Sequence, residues 1–417
     1  MTAYLFLAIL SVLFTGCALV QARRISYGIV PWFFAGWLTG ELAWLHFTAQ
    51  LALTVLVMLS SDMDATVVQW GVGLFVLNWL GLAWLHIQAG DTSTIMESAL
   101  REGLGNNYRG DIPQQRQQCL DAGAPSKGWL KPFNMQRPGV RVHRDIAYGE
   151  HGVRNHLDIY QPEAAREGGY PIALQVHGGA WIVGHKQQQA LPLMYHLASR
   201  GWLVVSCNYR LSPKAAFPDH IVDVKRCIAW IREHARDYGG NPDFIAISGG
   251  SAGGHLSSLA ALTPNLREWQ PGFEQADTAV QAAVPFYGVY DFLDRDGLRG
   301  SMSAEQLLSK YVMKTRLEGD RERWDQASPI SHVNAAAPPF YVVQGTHDSL
   351  VWVEEARAFV NRLRAHSEQV VAYAELPYAQ HAFEVFHSLR ADHAIDSATA
   401  FLEWTHARWL LEHSGGD

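Results

Sequence analysis

Two different patterns of apolar and polar residues divide the chain near residue 90. Before that point, three apolar blocks with very few charges follow one another at residues 3–20, 29–60 and 67–87. Beyond residue 140, short apolar runs alternate with stretches in which apolar residues recur at helical spacing. Long uncharged blocks are typical of membrane spans, whereas the alternation indicates a sheet with helices on both faces.

The first ninety residues are predicted to form a transmembrane helical anchor. Blocks 3–20 and 67–87 have the length that crosses a bilayer core, about 20 residues. Block 29–60 is too long for one span and short for two, so we expect three or four spans in all. No basic segment precedes the first block, which argues for a retained span rather than a cleaved signal peptide.

The number of spans decides on which side of the membrane the rest of the chain lies. Arg23 and Arg24 follow the first block, and positive residues favour the cytoplasmic side. Three spans then leave the large downstream domain in the cytoplasm, whereas four spans place it on the opposite side. Of the two locations, we favour the cytoplasmic one.

Two ionisable residues, Glu41 and His46, lie inside the middle apolar block. Such residues mark functional sites in many membrane proteins. They also occur near the membrane interface or facing a neighbouring helix, and we favour this second interpretation. A transporter or sensor built on residues 1–90 is disfavoured, because the blocks contain so few polar groups.

A polar, irregular segment, residues 91–138, connects the anchor to the downstream domain. A short helix is predicted over residues 94–104. Because the segment enters the downstream domain directly, we expect it to be either a linker or part of a lid over a functional site.

Residues 139–417 are predicted to form an α/β domain with a mostly parallel central sheet flanked by helices. The first two predicted strands alternate apolar and polar residues, which indicates an antiparallel pair at a sheet edge. The predicted strands are residues 142–148, 156–160, 172–176, 203–207, 244–247, 280–286, 340–343 and 370–373. Helices are predicted over residues 191–198, 221–231, 255–262, 354–363 and 398–411.

Composition narrows the classes of function. The formal net charge of −7 and the lack of a basic stripe argue against nucleic acid as a partner. The cysteines lie far apart and form no C-x-x-C pair, so neither a zinc site nor a disulfide framework is indicated.

A glycine-rich stretch, residues 248–254, lies between a predicted strand and a predicted helix. Its Gly249-x-Ser251-x-Gly253 spacing fits the strand–turn–helix arrangement that exposes a nucleophilic serine. The glycines are needed because side chains there would collide with the neighbouring strand and helix. Free N–H groups at the start of the new helix, including that of Ala252, would face a developing negative charge.

Two residues further along complete a serine–histidine–aspartate triad in the chain order that this arrangement requires. Asp348 follows the predicted strand 340–343, and His381 follows the predicted strand 370–373. The carboxyl ends of parallel strands share one edge of a sheet, so both residues are expected near Ser251. His381 would accept the serine proton, and Asp348 would orient the imidazole.

Four other residues of the same types compete with this assignment. His347 and His387 are close in sequence, but neither lies at the mouth of the loop after the last strand. Asp291 and Asp294 follow an earlier strand, and we expect structural or helix-capping roles for them. The ordered triple is therefore preferred.

A second glycine-rich motif, HGGAW at residues 177–181, follows the third predicted strand. Its glycines leave backbone N–H groups free to stabilise an oxyanion. The predicted oxyanion hole therefore consists of Gly178, Gly179 and Ala252. His177 is expected to anchor the loop rather than to act as a second base.

Together, the HGGAW motif at 177–181, the GGSAGG motif at 249–254, Asp348 and His381 resemble the α/β-hydrolase superfamily. The likeness is strongest to the carboxylesterase/lipase group with an HGG oxyanion motif, which includes hormone-sensitive-lipase-like bacterial esterases. It extends to a membrane-anchored subgroup with hydrophobic N-termini. Many hormone-sensitive-lipase-like members carry an acidic residue before the serine, where this chain has Gly250.

The resemblance implies hydrolysis of small-molecule or lipid carboxylic esters through an acyl-enzyme, without a metal or organic cofactor. An amidase of the arylformamidase type, which shares the HGG-x-W pattern, is the alternative enzyme. A non-catalytic membrane scaffold of the same fold is a further alternative, although such proteins typically lose a triad residue. Because every predicted site residue lies downstream of residue 90, we expect removal of residues 1–90 to leave an active hydrolase.

Overall fold

The computed structural model describes residues 2–22, 28–60, 66–121, 128–164, 166, 168–298 and 302–413. Within these ranges the strands are β1 (Val140–Ala147), β2 (His156–Pro162), β3 (Tyr170–Val176), β4 (Leu203–Cys207), β5 (Gly240–Gly250), β6 (Ala282–Phe286), β7 (Phe340–Gly345) and β8 (Val371–Leu376). The α-helices are α1 (Thr2–Leu19), α2 (Ile29–Glu41), α3 (Ala43–Ser60), α4 (Thr66–Gly90), α5 (Thr92–Leu104), α6 (Gln114–Asp121), α7 (Leu191–Ser199), α8 (Asp219–His234), α9 (Ala252–Leu262), α10 (Met302–Leu307), α11 (Arg321–Gln326), α12 (Val353–His366) and α13 (Leu389–His413).

All the described strands belong to one sheet, in the order β1-β2-β4-β3-β5-β6-β7-β8. β2 is antiparallel to both β1 and β4, whereas the strands from β3 to β8 run parallel. Alternate residues of the inner strands enter two cores. One core lies under α8, α9 and α12, and the other lies under α5, α7 and α13. The predicted α/β fold, with its antiparallel pair at one edge, is confirmed.

The middle apolar block is divided at Leu42 into a short helix, α2, and a longer one, α3. Among the residues that the structure describes, three helical segments are long and apolar enough to cross a membrane: Thr2–Leu19, Ala43–Ser60 and Thr66–Leu104. Helix α2 has 13 residues and is therefore about 20 Å long, which is less than the roughly 30 Å of a bilayer core. Arg23 and Arg24, on which the sidedness argument rests, lie outside the described residues.

The N-terminal helices pack closely through small residues and a few buried polar pairs. A Cβ on Gly36 of α2 would lie 2.7 Å from the carbonyl oxygen of Cys17 in α1, so only glycine allows this approach. The buried amide of Asn78 donates to Gln50 at 2.9 Å. In an apolar surrounding such paired amides hold neighbouring helices together.

These helices also contact the loops that follow the last two strands of the sheet. His347, in the loop after β7, donates from Nε2 to the carbonyl oxygen of Leu19 at 3.2 Å. Tyr378, in the loop after β8, meets the ring of Trp84 edge-on with a centroid separation of 6.3 Å. The carboxyl edge of the sheet therefore lies against the N-terminal helices.

A buried ion pair joins α2 to the start of α13. The Glu41 carboxylate at the end of α2 contacts the guanidinium of Arg390, and both side chains are almost completely buried. Ser388 donates to the other carboxylate oxygen at 2.6 Å, and Arg390 donates to the Pro377 carbonyl at 3.1 Å. Glu41 thus faces a neighbouring helix, as favoured above.

The segment after α4 packs on the sheet. Helix α5 lies against β8 so closely that a Cβ on Gly103 would be 2.7 Å from the Cα of Ala372. Tyr341 of β7 donates to the sulfur of Met96 in α5 at 3.1 Å. The predicted helix at residues 94–104 is confirmed as part of α5, whereas the division of the chain at residues 90 and 138 stays a prediction.

The ion pair changes one expectation drawn from the sequence. Removal of residues 1–90 would take away Glu41 and leave the Arg390 guanidinium buried without its carboxylate. An unpaired buried charge is strongly destabilising. The structure therefore indicates that the chain without residues 1–90 is less stable than the full chain, whereas its expected activity stays a prediction.

We expect Glu41→Ala to lower the free energy of unfolding by about 3–5 kcal/mol, because the guanidinium loses its partner inside the protein. Denaturant titration of the full chain in detergent micelles measures this loss. The matched control is Arg357→Ala, which breaks the more exposed pair with Glu375 and should cost less than about 1 kcal/mol. Equal small losses for both variants would show that the Glu41 pair contributes little.

Candidate active site

Ser251 lies at the sharp turn between β5 and α9. Its φ of +59° and ψ of −121° place a residue with a side chain in a strained backbone region. The Ser251 N–H donates to the carbonyl oxygen of Phe286, at the end of β6, at 3.0 Å. The predicted strand–turn–helix arrangement around the serine is therefore present, and its strain is of the kind found at nucleophilic serines.

The two glycines that flank this serine are required by close approaches of the backbone. A Cβ on Gly253 would lie 2.1 Å from the carbonyl oxygen of Val176 in β3. A Cβ on Gly249 would lie 2.4 Å from the carbonyl oxygen of Gly253. Any side chain at either position would push α9 away from the sheet, which confirms the reason given for the glycines.

His381 and Asp348 form a buried pair in the loops after β8 and β7. His381 donates from Nδ1 to Oδ2 of Asp348 at 2.7 Å. The backbone N–H groups of Leu350 and Val351 each donate to the other carboxylate oxygen at 2.8 Å. The carboxylate is fully buried and is also bonded by the Gln344 amide at 3.0 Å, so its orientation is fixed.

Tyr287 connects this pair to the serine turn. Its ring centroid lies 4.5 Å from that of His381. Its hydroxyl oxygen would be 2.6 Å from a Cβ on Gly250, the residue before Ser251. The imidazole and the serine turn therefore contact the same tyrosine at the carboxyl edge of the sheet.

Glu384 is a buried carboxyl group that sequence reasoning missed. It accepts a short hydrogen bond from the hydroxyl of Tyr287. Burial raises the pKa of Glu384 to about 7, and hydrogen bonds from Tyr287 and the proximity of His381 oppose this increase only in part. Its only sequence signal is a position three residues after His381, which could have drawn attention to it.

The Tyr287–Glu384 pair also accounts for the unusual residue before the serine. A side chain at position 250 would collide with the Tyr287 hydroxyl. A carboxyl group nevertheless lies nearby, because Glu384 accepts a hydrogen bond from the same Tyr287 hydroxyl.

The predicted oxyanion hole of Gly178, Gly179 and Ala252 stays a prediction. The N–H of Gly178 donates to Oε1 of Gln189 at 2.5 Å, so an oxyanion there would displace the amide oxygen of Gln189. The structure gives the N–H groups of Gly179 and Ala252 no acceptor among the described residues. The Cα of Gly178 does lie beside Ser251, because a Cβ there would be 3.1 Å from the serine Cβ.

His177 has a structural environment. Its ring stacks on Tyr209 with a centroid separation of 4.4 Å, and Nδ1 donates to the Gly178 carbonyl at 2.7 Å. Burial lowers the pKa of His177 to about 4, so the ring is neutral at physiological pH. The expectation that His177 anchors the loop is confirmed.

The competing histidines and aspartates have other partners. His347 bonds to Leu19 as described, and His387 donates from Nδ1 to Asp392 at 2.5 Å. Asp291 accepts from the N–H groups two and four residues later, which is a capping arrangement. Over the part of the chain that the structure describes, no group of three or more His, Cys, Asp or Glu side chains could hold a metal ion.

Comparisons with known proteins identify the family of the chain. The family model described as BD-FAE matches residues 157–363. The probable carboxylic ester hydrolase LipM of Mycobacterium tuberculosis is 46% identical over 353 residues, which cover 84% of this chain and 80% of LipM. The chain belongs to this family of carboxylic ester hydrolases.

Two further similarities support that membership. Esterase LipQ of the same organism is 46% identical over 339 residues, covering 80% of this chain and 79% of LipQ. The solved structure of the Thermogutta terrifontis esterase Est2 with bound propionate is 27% identical, with a TM-score of 0.51. The match covers 67% of this chain and 95% of Est2. These relatives are named as esterases rather than as amidases or scaffolds.

We expect the stability of the protein to fall as pH rises from 4.5 to about 7, and Glu384→Gln to flatten part of this fall. The folded state raises the pKa of Glu384 from 4.5 to about 7. Its contribution is thus fully present below pH 4.5 and is lost, by roughly 3 kcal/mol, as pH rises through 7.

Denaturant titrations at several pH values measure this effect. Glu150→Gln, at an exposed carboxyl group, is the control and should keep the wild-type dependence. If Glu384→Gln retains the same pH dependence as the wild type, the carboxyl group does not titrate in this range.

Proposed function

We propose that the protein hydrolyses carboxylic esters through an acyl-enzyme on Ser251, with His381 as the general base and Asp348 as the orienting carboxylate. The observation that carries this proposal is the buried 2.7 Å hydrogen bond between His381 and Asp348, at the sheet edge that also presents Ser251. Membership of the family of carboxylic ester hydrolases supports the ester as substrate class.

The geometry supports two successive acyl transfers, first from the ester to Ser251 and then from Ser251 to water. Nδ1 of His381 donates to Asp348, so Nε2 of the neutral ring carries no proton and can accept that of the Ser251 hydroxyl. The serine oxygen bonds to the ester carbonyl carbon, and the alcohol then leaves with the proton from His381. Water attacks the acyl-enzyme in the same way, releases the acid and regenerates the serine.

The negative oxygen formed in each step needs hydrogen-bond donors. We assign this role to the N–H groups of Gly178, Gly179 and Ala252, with the oxyanion taking the place of the Gln189 amide oxygen at Gly178. Ala252 is the first residue of α9, where N–H groups have no partner within the helix and the helix dipole favours negative charge.

We propose further that residues 1–90 anchor the enzyme in a membrane, with residues 91–138 as connector and residues 139–417 as the hydrolase domain. The three helices of membrane-spanning length support the anchor. The excess of positive charge after the first helix favours a cytoplasmic hydrolase domain.

Ser251→Ala should abolish ester hydrolysis, with a loss of turnover of about 10⁴–10⁶-fold. The variant lacks only one hydroxyl group, so its unfolding transition should match that of the wild type. Turnover of p-nitrophenyl acetate and labelling by a fluorophosphonate probe measure the loss. Wild-type turnover by this variant would rule out the proposed nucleophile.

His381→Ala should also abolish turnover, whereas His347→Ala should leave a working enzyme because His347 bonds to Leu19 and not to Asp348. Asp348→Asn should lower turnover by roughly 10⁴-fold, because an amide favours the wrong tautomer of the imidazole. Steady-state kinetics of the three variants distinguish the roles. An inactive His347→Ala beside an active His381→Ala would reverse the assignment.

A further inference from the structure

Helix α2 carries two different stripes of side chains at a spacing of four residues. Val30, Phe34 and Leu38 form the outer stripe and are 53%, 49% and 38% exposed. Phe33 and Trp37 form the inner stripe, in which Phe33 is buried. A short helix with an exposed apolar stripe, flanked by α1 and α3 of membrane-spanning length, belongs to the same apolar surface as those helices.

The inner stripe reaches the proposed general base. The ring of Phe33 meets the ring of His381 edge-on at a centroid distance of 6.1 Å. Trp37 stacks on Phe33 with a centroid separation of 5.5 Å and lies 5.2 Å from the ring of Phe386. The ring of Phe133 lies 5.6 Å from that of Phe386. We call Phe33, Trp37, Phe133 and Phe386 the aromatic wall.

The aromatic wall extends from buried to open surface. Phe33 is buried at the His381 end, whereas Phe133 is 69% exposed at the other end. A continuous series of rings that begins at the reacting groups and ends at exposed surface is suited to binding an apolar chain. Two more apolar residues near the site are also exposed: Val183, in the loop after the HGGAW motif, and Leu350, two residues after Asp348.

The position of α2 relative to the site is fixed. The buried ion pair of Glu41 with Arg390 ties the end of α2 to the start of α13, which begins eight residues after His381. Arg390 also bonds to Pro377, which lies in the histidine loop itself. The aromatic wall is therefore a built part of the site, and α2 is not merely an adjacent anchor helix.

We propose that the substrate is a membrane-resident ester with a long acyl chain, which enters the site from the bilayer along the aromatic wall. The proposal rests on the ester hydrolase function proposed above and names its substrate class. The outer stripe of α2 contacts lipid, the inner stripe contacts the acyl chain, and the ester carbonyl reaches Ser251. Because the rings are about as apolar as lipid tails, a long acyl chain passes from the bilayer to the site without entering water.

The test compares two esters with the full chain reconstituted in phosphatidylcholine vesicles. One ester is p-nitrophenyl palmitate incorporated in the same vesicles, and the other is p-nitrophenyl acetate in the water phase. For Trp37→Ala and Phe133→Ala, we expect the ratio of palmitate to acetate turnover to fall on the order of tenfold, since each variant removes apolar contact surface.

Trp70→Ala is the matched control. Trp70 is 66% exposed on α4, so this variant removes the same side chain from an apolar helix, and the turnover ratio should stay at the wild-type value. Phe133 is so exposed that its removal does not threaten folding. Labelling of each variant by a fluorophosphonate probe reports how much of the protein has an intact site.

The outcomes separate the two proposals. An unchanged ratio in both wall variants, or a wild-type enzyme that turns over acetate but not palmitate, would overturn the membrane-resident substrate and leave the ester hydrolase intact. A wild-type enzyme that hydrolyses neither ester and does not react with the probe would overturn both. If the ratio of palmitate to acetate turnover falls as much in Trp70→Ala as in the two wall variants, the effect is a general one of the apolar helices and not a substrate path.

Discussion

The buried ion pair between Glu41 and Arg390 is the constraint on which the arrangement of this protein depends. It lies between the apolar N-terminal helices and the sheet, and it is completed by a hydroxyl group and a carbonyl group from the same region. A buried pair of this kind gains little over an apolar contact when intact but costs much when one partner is lost. Its effect is therefore to permit one relative position of α2 and the histidine loop and to disfavour the others.

Much of the fold and site could be predicted because the relevant signals are local. Strands β3 to β7 are short apolar runs, and Gly249-x-Ser251-x-Gly253 fits one type of turn. Asp348 and His381 follow successive strands, so parallel pairing alone brings them to the same edge. The hydrogen bond between their side chains follows from the topology.

What the sequence did not indicate depends on contacts between distant segments. Glu384 and Tyr287 are 97 residues apart, and neither belongs to a recognisable motif. The hydrogen bond from the Gly178 N–H to the Gln189 side chain depends on how the loop after β3 folds back on itself. The block at residues 29–60 looked like membrane material throughout, because apolar composition does not distinguish a ring that faces lipid from one that faces His381.

The loops after β7 and β8 rest on the N-terminal helices, and this contact has a mechanical consequence. His347 bonds to the end of α1 and Tyr378 rests on α4, and each lies within three residues of a proposed triad member. Membrane helices tilt to match their apolar length to the thickness of the surrounding bilayer. In the proposed membrane location, a tilt of α1 or α4 would shift the base on which both loops rest, so lipid thickness would act as a mechanical force on the alignment of His381 and Asp348.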